Sequence, residues 1–125
     1  MLDHISIGTP NLGAAKAFYD AALAPLGLSC LYADDASLGY GAEAVFFWVL
    51  KTPRAVAADP DSGLHICFAA PARKAVKAFH AKALGVGGND NGKPGLRADY
   101  GPDYFAAFVK DPDGYRLEAY CNVKD

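Results

Sequence analysis

The chain has 125 residues, of which 52% are apolar and 21% are charged, and its net charge is −2 at pH 7. This length suits one compact domain with its own core, and the charge excludes the basic surface that binds nucleic acid or an anionic membrane. No apolar run reaches the roughly 18 residues of a membrane span, and the N-terminus lacks the pattern of a signal peptide. Three scattered cysteines without CxxC spacing suit reduced thiols. We therefore expect a folded, cytoplasmic protein.

The chain begins with a predicted strand and helix. In HISIGTPNLGAAKAFYDAAL, which starts at His4, Ile5 and Ile7 alternate with more polar residues, as in a half-buried strand. Asn11 is suited to cap the following helix, whose apolar residues recur at helical spacing until Pro25 ends it.

Three further strands complete the first half of the chain. The segments LSCLYA, ASLGYG and AVFFWVLK are short, rich in aromatic or branched residues, and separated by Asp-Asp or Gly. The sequence DPDSG at 59–63 then predicts a turn that links the two halves.

The second half repeats the first. HICFAAPARKAVKAFHAKAL, which starts at His65, matches the segment at His4 in nine of twenty positions. GVGGNDNGKPGLRADYGP follows as a predicted loop with at most a short strand near its start, and YFAAFVKDPDGYRLEAYCNV predicts two strands joined by a DPDG turn. Each half is therefore expected to form one strand, one helix and three strands, and the two copies should pack together to bury their sheets.

Strand parity places three potential metal ligands on one face. If the isoleucines of the first strand face the helix, His4 lies on the opposite face, and the same argument applies to His65 and to Glu118 in the last strand. Two imidazoles and one carboxylate can form a facial triad for a divalent transition metal. Alternatively, each histidine is structural or solvated, and Glu118 pairs with Arg116 or Arg97 at the rim of the sheet.

The repeated unit, the opening LDHISIGTPNLGAAKAFYDAAL and the closing DPDGYRLEAY resemble the vicinal oxygen chelate superfamily, also called the glyoxalase/bleomycin resistance/extradiol dioxygenase superfamily. The resemblance implies an α+β fold in which two paired βαβββ modules form a curved mixed sheet around a metal or ligand cavity. It implies a single domain over residues 1–125, with modules at about 1–52 and about 63–125. It assigns the metal ligands to the first, fifth and eighth strands, which match His4, His65 and Glu118.

The same resemblance implies one divalent ion per site and a homodimer that exchanges modules between chains. Oxygen and nitrogen ligands favour Fe(II) or Mn(II), with Ni(II), Co(II) and Zn(II) as further possibilities. The implied function is that of an enzyme whose small substrate chelates the metal through neighbouring oxygens. The reaction type stays open between isomerase or lyase, dioxygenase and thiol transferase.

The fourth strand departs from one branch of the superfamily. Glyoxalase I proteins carry a further acidic ligand there, whereas AVFFWVLK has no carboxylate. This disfavours a lactoylglutathione lyase and favours a three-ligand site. The alternative function is a non-catalytic, drug-sequestering protein of the bleomycin-resistance type, with which this aromatic strand is compatible.

Further candidates are expected around the ligands. The candidates for proton transfer are Asp99, Tyr100 and Tyr104. The candidates for substrate contact are Tyr40, Trp48 and Phe105 as apolar walls and Arg97 as an anchor for an anion. An ordinary place in a sheet or an exposed loop is the alternative for each substrate-contact candidate. Cys67 is expected to be a small buried thiol and His80 a surface residue.

Overall fold

The computed structural model describes residues 1–124 and contains two copies of a strand–helix–three-strand unit. The first module consists of β1 (Ile5–Thr9), α1 (Leu12–Leu23), β2 (Ser29–Ala33), β3 (Ser37–Gly41) and β4 (Val45–Lys51). The second module consists of β5 (His65–Ala69), α2 (Arg73–Leu84), β6 (Asn89–Leu96), β7 (Phe105–Lys110) and β8 (Arg116–Cys121). Short 3₁₀ helices occupy Ala24–Leu26 and Pro60–Ser62.

Each module forms a four-stranded mixed sheet with the same topology. The strand orders are β1-β4-β3-β2 and β5-β8-β7-β6. In each sheet the first and last strands of the module pair in parallel, and the other neighbours are antiparallel. The parallel pair needs a crossover, which the helix supplies. These sheets confirm the predicted α+β fold of two βαβββ modules.

The two modules share one hydrophobic core. The side chain of Asn11 accepts a hydrogen bond from the amide of Ala14 at the start of α1, as the sequence predicted. Phe18 and Phe79 project from the two helices and are fully buried. The helices pack against each other, and the rings of Phe47 and Phe68 meet between the sheets at 5.3 Å. One face of each sheet is therefore covered, and the opposite face is left for a site.

Two buried hydrogen bonds also join the modules. The hydroxyl of Tyr19 in α1 donates to Asp111 Oδ2 at 2.5 Å, and the hydroxyl of Tyr115 donates to the carbonyl of Gly8 at 2.8 Å. Asp111 is the first residue of the predicted DPDG turn. Its Oδ1 accepts hydrogen bonds from the backbone amides of Asp113 and Tyr115. Burial raises the pKa of Asp111, while these hydrogen bonds oppose the shift.

The segment between α2 and β7 was predicted as a loop with at most a short strand near its start, and the strand is longer than this prediction. Strand β6 has eight residues and is an edge strand, with irregular register around Gly92 and Gly95. An edge position tolerates Pro94, because the outer side of an edge strand needs no ladder hydrogen bond.

His80 is buried against strand β6. The expectation of a solvated His80 was wrong, because the residue is only 8% exposed and its Nε2 lies 2.9 Å from Asp90 Oδ1 on β6. Within residues 1–124, neither α-helix is long and apolar enough to span a membrane.

Candidate functional site

The face of the second sheet opposite α2 carries a cluster of polar and aromatic side chains. On β8, Leu117 and Ala119 are fully buried in the core, so Arg116 and Glu118 project from the other face. Glu118 is paired in register with Cys67 on β5 and with Phe108 on β7, and Arg116 is paired with His65. Residues that face each other across neighbouring strands lie on the same side of the sheet. The predicted parity of His65 and Glu118 is thus confirmed.

Glu118 lies at the centre of this cluster. His65 Nε2 is 3.0 Å from Glu118 Oε1, and the hydroxyl of Tyr104 donates to Glu118 Oε2 at 2.6 Å. The glutamate is only 3% exposed, and these two contacts satisfy both of its oxygens. Burial, followed by the hydrogen bond to Glu118, raises the pKa of Tyr104. Tyr104 therefore stays protonated at neutral pH and acts as a hydrogen-bond donor.

A cavity of about 770 Å³ opens over this cluster, and we call it the second-sheet pocket. Its volume is within the range of small-molecule sites. Tyrosine rings form one side, with the centroids of Tyr100 and Tyr104 5.2 Å apart and those of Tyr104 and Tyr120 stacked at 4.5 Å. The lining residues are His65, Asn91, Asp99, Tyr100, Tyr104, Phe108, Arg116 and Glu118.

Three of these lining residues were not among the sequence-based candidates. The parity of β8 predicts Arg116 on the same face as Glu118, and the parity of β7 would have placed Phe108 there. Asn91 carried no such signal, because it lies in β6, which was predicted as a loop.

His4 lies outside the second-sheet pocket. It precedes β1, its side chain is 51% exposed, and its Nδ1 is 2.7 Å from Asp3 Oδ2. It lines a separate groove of about 370 Å³, which it shares with His65, Cys67 and Phe46. Among residues 1–124, no three His, Cys, Asp or Glu side chains are grouped so that they could hold a metal ion. One chain therefore brings two of the three predicted ligands into contact and leaves His4 apart from Glu118.

The geometry of the contacting pair is compatible with a metal. Two ligand atoms at right angles, each about 2.1 Å from a first-row ion, would be about 3.0 Å apart. His65 Nε2 and Glu118 Oε1 have this separation, 3.0 Å. The hydroxyl of Tyr104 fixes the orientation of the carboxylate, as outer-shell partners of metal ligands do. These residues thus fit two ligands of a divalent ion.

Tyr40 and Phe105 do not line the pocket, contrary to the expectation for these two residues. Tyr40 is fully buried on the helix-covered face of the first sheet, and its hydroxyl donates to Asp20 Oδ1 at 2.9 Å. Phe105 is buried on the α2 side of the second sheet, 5.2 Å from the guanidinium of Arg73. Both residues occupy alternating strand positions whose side chains point into the hydrophobic core.

The remaining aromatic and anion-binding candidates lie outside the lining of the pocket. Trp48 projects from the uncovered face of the first sheet and packs on the ring of Tyr32 at 5.6 Å. Arg97 donates to the carbonyl of Lys93 at 2.6 Å and stacks over Phe108 at 5.2 Å. It therefore packs on one ring of the pocket wall.

Cys67 is exposed, so the expectation of a buried thiol was wrong. Partial desolvation, followed by the neighbouring charge of Glu118, raises the pKa of its thiol to about 12. The thiol is therefore protonated at neutral pH.

Comparison with solved structures identifies the family. The chain is 30% identical to a glyoxalase/bleomycin resistance protein from Albidiferax ferrireducens T118, over 94% of both chains and with a TM-score of 0.80. The chain belongs to the glyoxalase/bleomycin resistance protein family. This places it in the vicinal oxygen chelate superfamily, as its sequence predicted.

Other solved structures share the glyoxalase fold. A glyoxalase-related enzyme from Fulvimarina pelagi is 17% identical, with a TM-score of 0.75 over 96% of this chain and 86% of that one. A glyoxalase/bleomycin resistance protein/dioxygenase family enzyme from Burkholderia phytofirmans PsJN is 14% identical, with a TM-score of 0.73 over 98% of both chains. No family model and no curated protein matches the sequence.

Proposed function

We propose that the chain is a divalent-metal-dependent enzyme of the glyoxalase fold with its active site in the second-sheet pocket. The observation that carries this proposal is the buried carboxylate of Glu118, which holds one oxygen against His65 while Tyr104 holds the other. A buried carboxylate is costly unless it is paired, and this one lies at the floor of a cavity for small molecules. When bound, the ion would polarise a substrate that chelates it through neighbouring oxygens.

His65 and Glu118 would hold the ion together with His4, which a second copy of the chain would supply. Two features support a homodimer of this kind. His4 is exposed at the entry to β1, and the uncovered face of the first sheet exposes apolar side chains such as Phe46 and Leu50. Such a face is suited to cover the open pocket of a partner.

The pocket offers one free carboxylate for proton transfer. Asp99 lines the pocket, and within residues 1–124 its side chain makes no hydrogen bond or ion pair. Tyr104 donates its hydroxyl proton to Glu118, and because its pKa is raised it stays protonated at neutral pH and is not available as a base. We therefore assign proton transfer to Asp99 and the orientation of Glu118 to Tyr104, whereas Tyr100 forms part of the aromatic wall.

Non-catalytic sequestration of a flat ligand is the second candidate function. It is favoured by the tyrosine rings of the pocket wall, Tyr100 and Tyr104, the second of which stacks on Tyr120. Aromatic walls bind flat molecules without any metal. Metal affinity separates the two functions, because a sequestering site does not need a metal ligand set.

A metal titration with two glutamate variants tests the proposal. Chelator-treated protein is titrated with Mn(II) by calorimetry, as wild type, as Glu118→Gln and as Glu43→Gln. Loss of an outer-shell partner costs about 10- to 100-fold in metal affinity, so the loss of a ligand should cost at least about tenfold in Glu118→Gln. Glu43 is exposed in the β3–β4 turn, and its variant should match wild type. Wild-type affinity in Glu118→Gln would contradict the metal site, and no binding by wild type would favour sequestration.

A further inference from the structure

Arg116 brings a positive charge into the second-sheet pocket without an acidic partner. It lines the pocket beside His65 and Glu118, and its Nε donates to the carbonyl of Leu64 at 3.2 Å. No carboxylate among residues 1–124 forms an ion pair with it. The nearest acid along its strand, Glu118, already has both oxygens engaged by His65 and Tyr104.

The free guanidinium is held in place for an incoming anion. The Nε contact with Leu64 fixes one edge of the guanidinium and leaves the Nη groups available. A planar guanidinium of this kind matches a carboxylate with two parallel hydrogen bonds. Arg97, the anion anchor expected from the sequence, is engaged with Lys93 and Phe108, so the charge inside the pocket comes from Arg116.

Beside the polar residues Asn91 and Asp99, part of the remaining pocket wall is aromatic. The rings of Tyr100, Tyr104 and Phe108 line the cavity, and Tyr104 is itself supported by Tyr120, stacked at 4.5 Å and an interplanar angle of 25°. Aromatic side chains favour the faces and edges of other flat rings. A ligand that satisfies both walls is therefore flat and carries an anion at one end.

We propose that the second-sheet pocket selects planar aromatic carboxylates, with Arg116 binding the carboxylate and Tyr100 packing on the ring. The inference rests on the proposed function in that it uses the same pocket, but its two contacts do not involve the metal ligands. It defines the substrate class of an enzyme here, or the ligand class of a sequestering protein.

Three probes that differ in one property each test the selectivity. Chelator-treated protein is titrated by calorimetry with 1-naphthoate, with 1-naphthylmethanol, which lacks the charge, and with decahydro-1-naphthoate, which lacks the aromatic ring. The charge should contribute about 10- to 100-fold in affinity, because hydrogen bonds to charged groups are the strong ones. The ring should contribute about threefold to tenfold. Wild-type protein that binds all three probes with equal affinity would overturn the proposal.

Variants then assign the selectivity to residues. Arg116→Gln should lose the preference for 1-naphthoate over 1-naphthylmethanol, and Tyr100→Leu should lose the preference for the aromatic over the saturated acid. Arg54→Gln, at an exposed arginine of the first module, should keep both preferences. Thermal melting confirms that each variant is folded, and Arg116→Lys serves as a milder substitution that keeps the charge. An unchanged preference in folded Arg116→Gln would overturn the assignment.

The experiments can refute the metal site and the selectivity for aromatic carboxylates independently of each other. Selective naphthoate binding in a protein that takes up no Mn(II) would refute the metal-dependent enzyme and support this inference. Tight Mn(II) binding in a protein without naphthoate selectivity would refute this inference and leave the metal site standing.

Discussion

At the scale of single residues, tyrosine hydroxyls repeatedly hold carboxylates in place. One such bond orients Glu118 at the floor of the pocket, and another joins the two modules through Asp111. A tyrosine–carboxylate hydrogen bond contributes more to stability when it is buried than when it is exposed, because an exposed carboxylate can bind water in place of the tyrosine. The four pairs are Tyr19–Asp111, Tyr32–Asp34, Tyr40–Asp20 and Tyr104–Glu118.

Removing the buried hydroxyl of Tyr19 should destabilise the fold. Tyr19→Phe leaves Asp111 buried without its donor, which should lower the free energy of unfolding by about 1–3 kcal/mol. Tyr32→Phe is the matched control, because its bond to Asp34 lies on the surface, and its effect should stay within about 0.5 kcal/mol. Urea denaturation measures both variants. Equal losses in the two would contradict the role of Asp111 as a buried link between modules.

Asp111 should also give stability a dependence on pH. Burial raises its pKa in the folded state, so its contribution is fully present below the ordinary value for aspartate, about 3.9. The contribution is lost as the pH rises through the raised value. Asp111→Asn removes this titration and keeps an oxygen for the amides of Asp113 and Tyr115. Urea denaturation at a series of pH values above 4 should show a smaller decline for the variant, and an equal decline would refute the assignment.

At the scale of the elements, strand β4 determines which chemistry the first module can offer. Its sequence is apolar on both faces, and the structure buries Phe47 and Val49 in the core. Trp48 therefore projects from the uncovered face, and the resemblance to glyoxalase I proteins implies a carboxylate on this strand. The chain offers an indole at this position.

The orientation of Trp48 on β4 predicts low glyoxalase I activity. Wild-type protein should turn over the hemithioacetal of methylglyoxal and glutathione weakly or not at all with Ni(II) or Zn(II). Asp99 lies in the turn after β6, β4 offers no carboxylate, and a base positioned for this substrate is worth about 100- to 10,000-fold in rate. Trp48→Glu should raise this activity. Phe47→Glu should fail to do so, because it places a charge in the core. Wild-type kcat/KM of roughly 10⁴ M⁻¹s⁻¹ or more would contradict the prediction.

Local periodicity made most elements predictable from the sequence. The alternation around Ile5 and Ile66 predicted both first strands and, with the second of them, the face on which His65 lies. The length of strand β6 was not predictable, because its glycines, asparagines and proline are typical of loops and its pairing with β7 depends on tertiary structure. His80 is buried because it contacts Asp90 on this strand, so its burial could not be predicted either.

At the scale of the whole molecule, one chain separates His4 from Glu118, while His65 lines both the pocket that contains Glu118 and the groove that contains His4. His65 and Glu118 lie in the second-sheet pocket, whereas His4 lies at an exposed end of β1. Strand parity predicted the side of the sheet on which each ligand lies, but it does not predict the distances between the ligands. Packing of the helices against each other decides how the two faces are placed within one chain.

A complementation experiment tests whether a second copy supplies His4. His4→Ala and His65→Ala proteins are each expected to bind metal weakly, and after co-refolding the mixed dimer should regain one intact site. The gain is measured as bound Mn(II) per dimer. A monomer by light scattering that still binds metal would show that both halves of the site come from one chain.

The metal content of the purified protein shows whether His65 and Glu118 bind a divalent ion. Elemental analysis of protein prepared without chelator should find close to one divalent ion per chain, with Fe(II) or Mn(II) favoured by the ligand set. His65→Ala should lose most of it, because two remaining ligands compete poorly with water and buffer. Full retention of the ion in folded His65→Ala protein would contradict the claim that His65 and Glu118 form the metal centre.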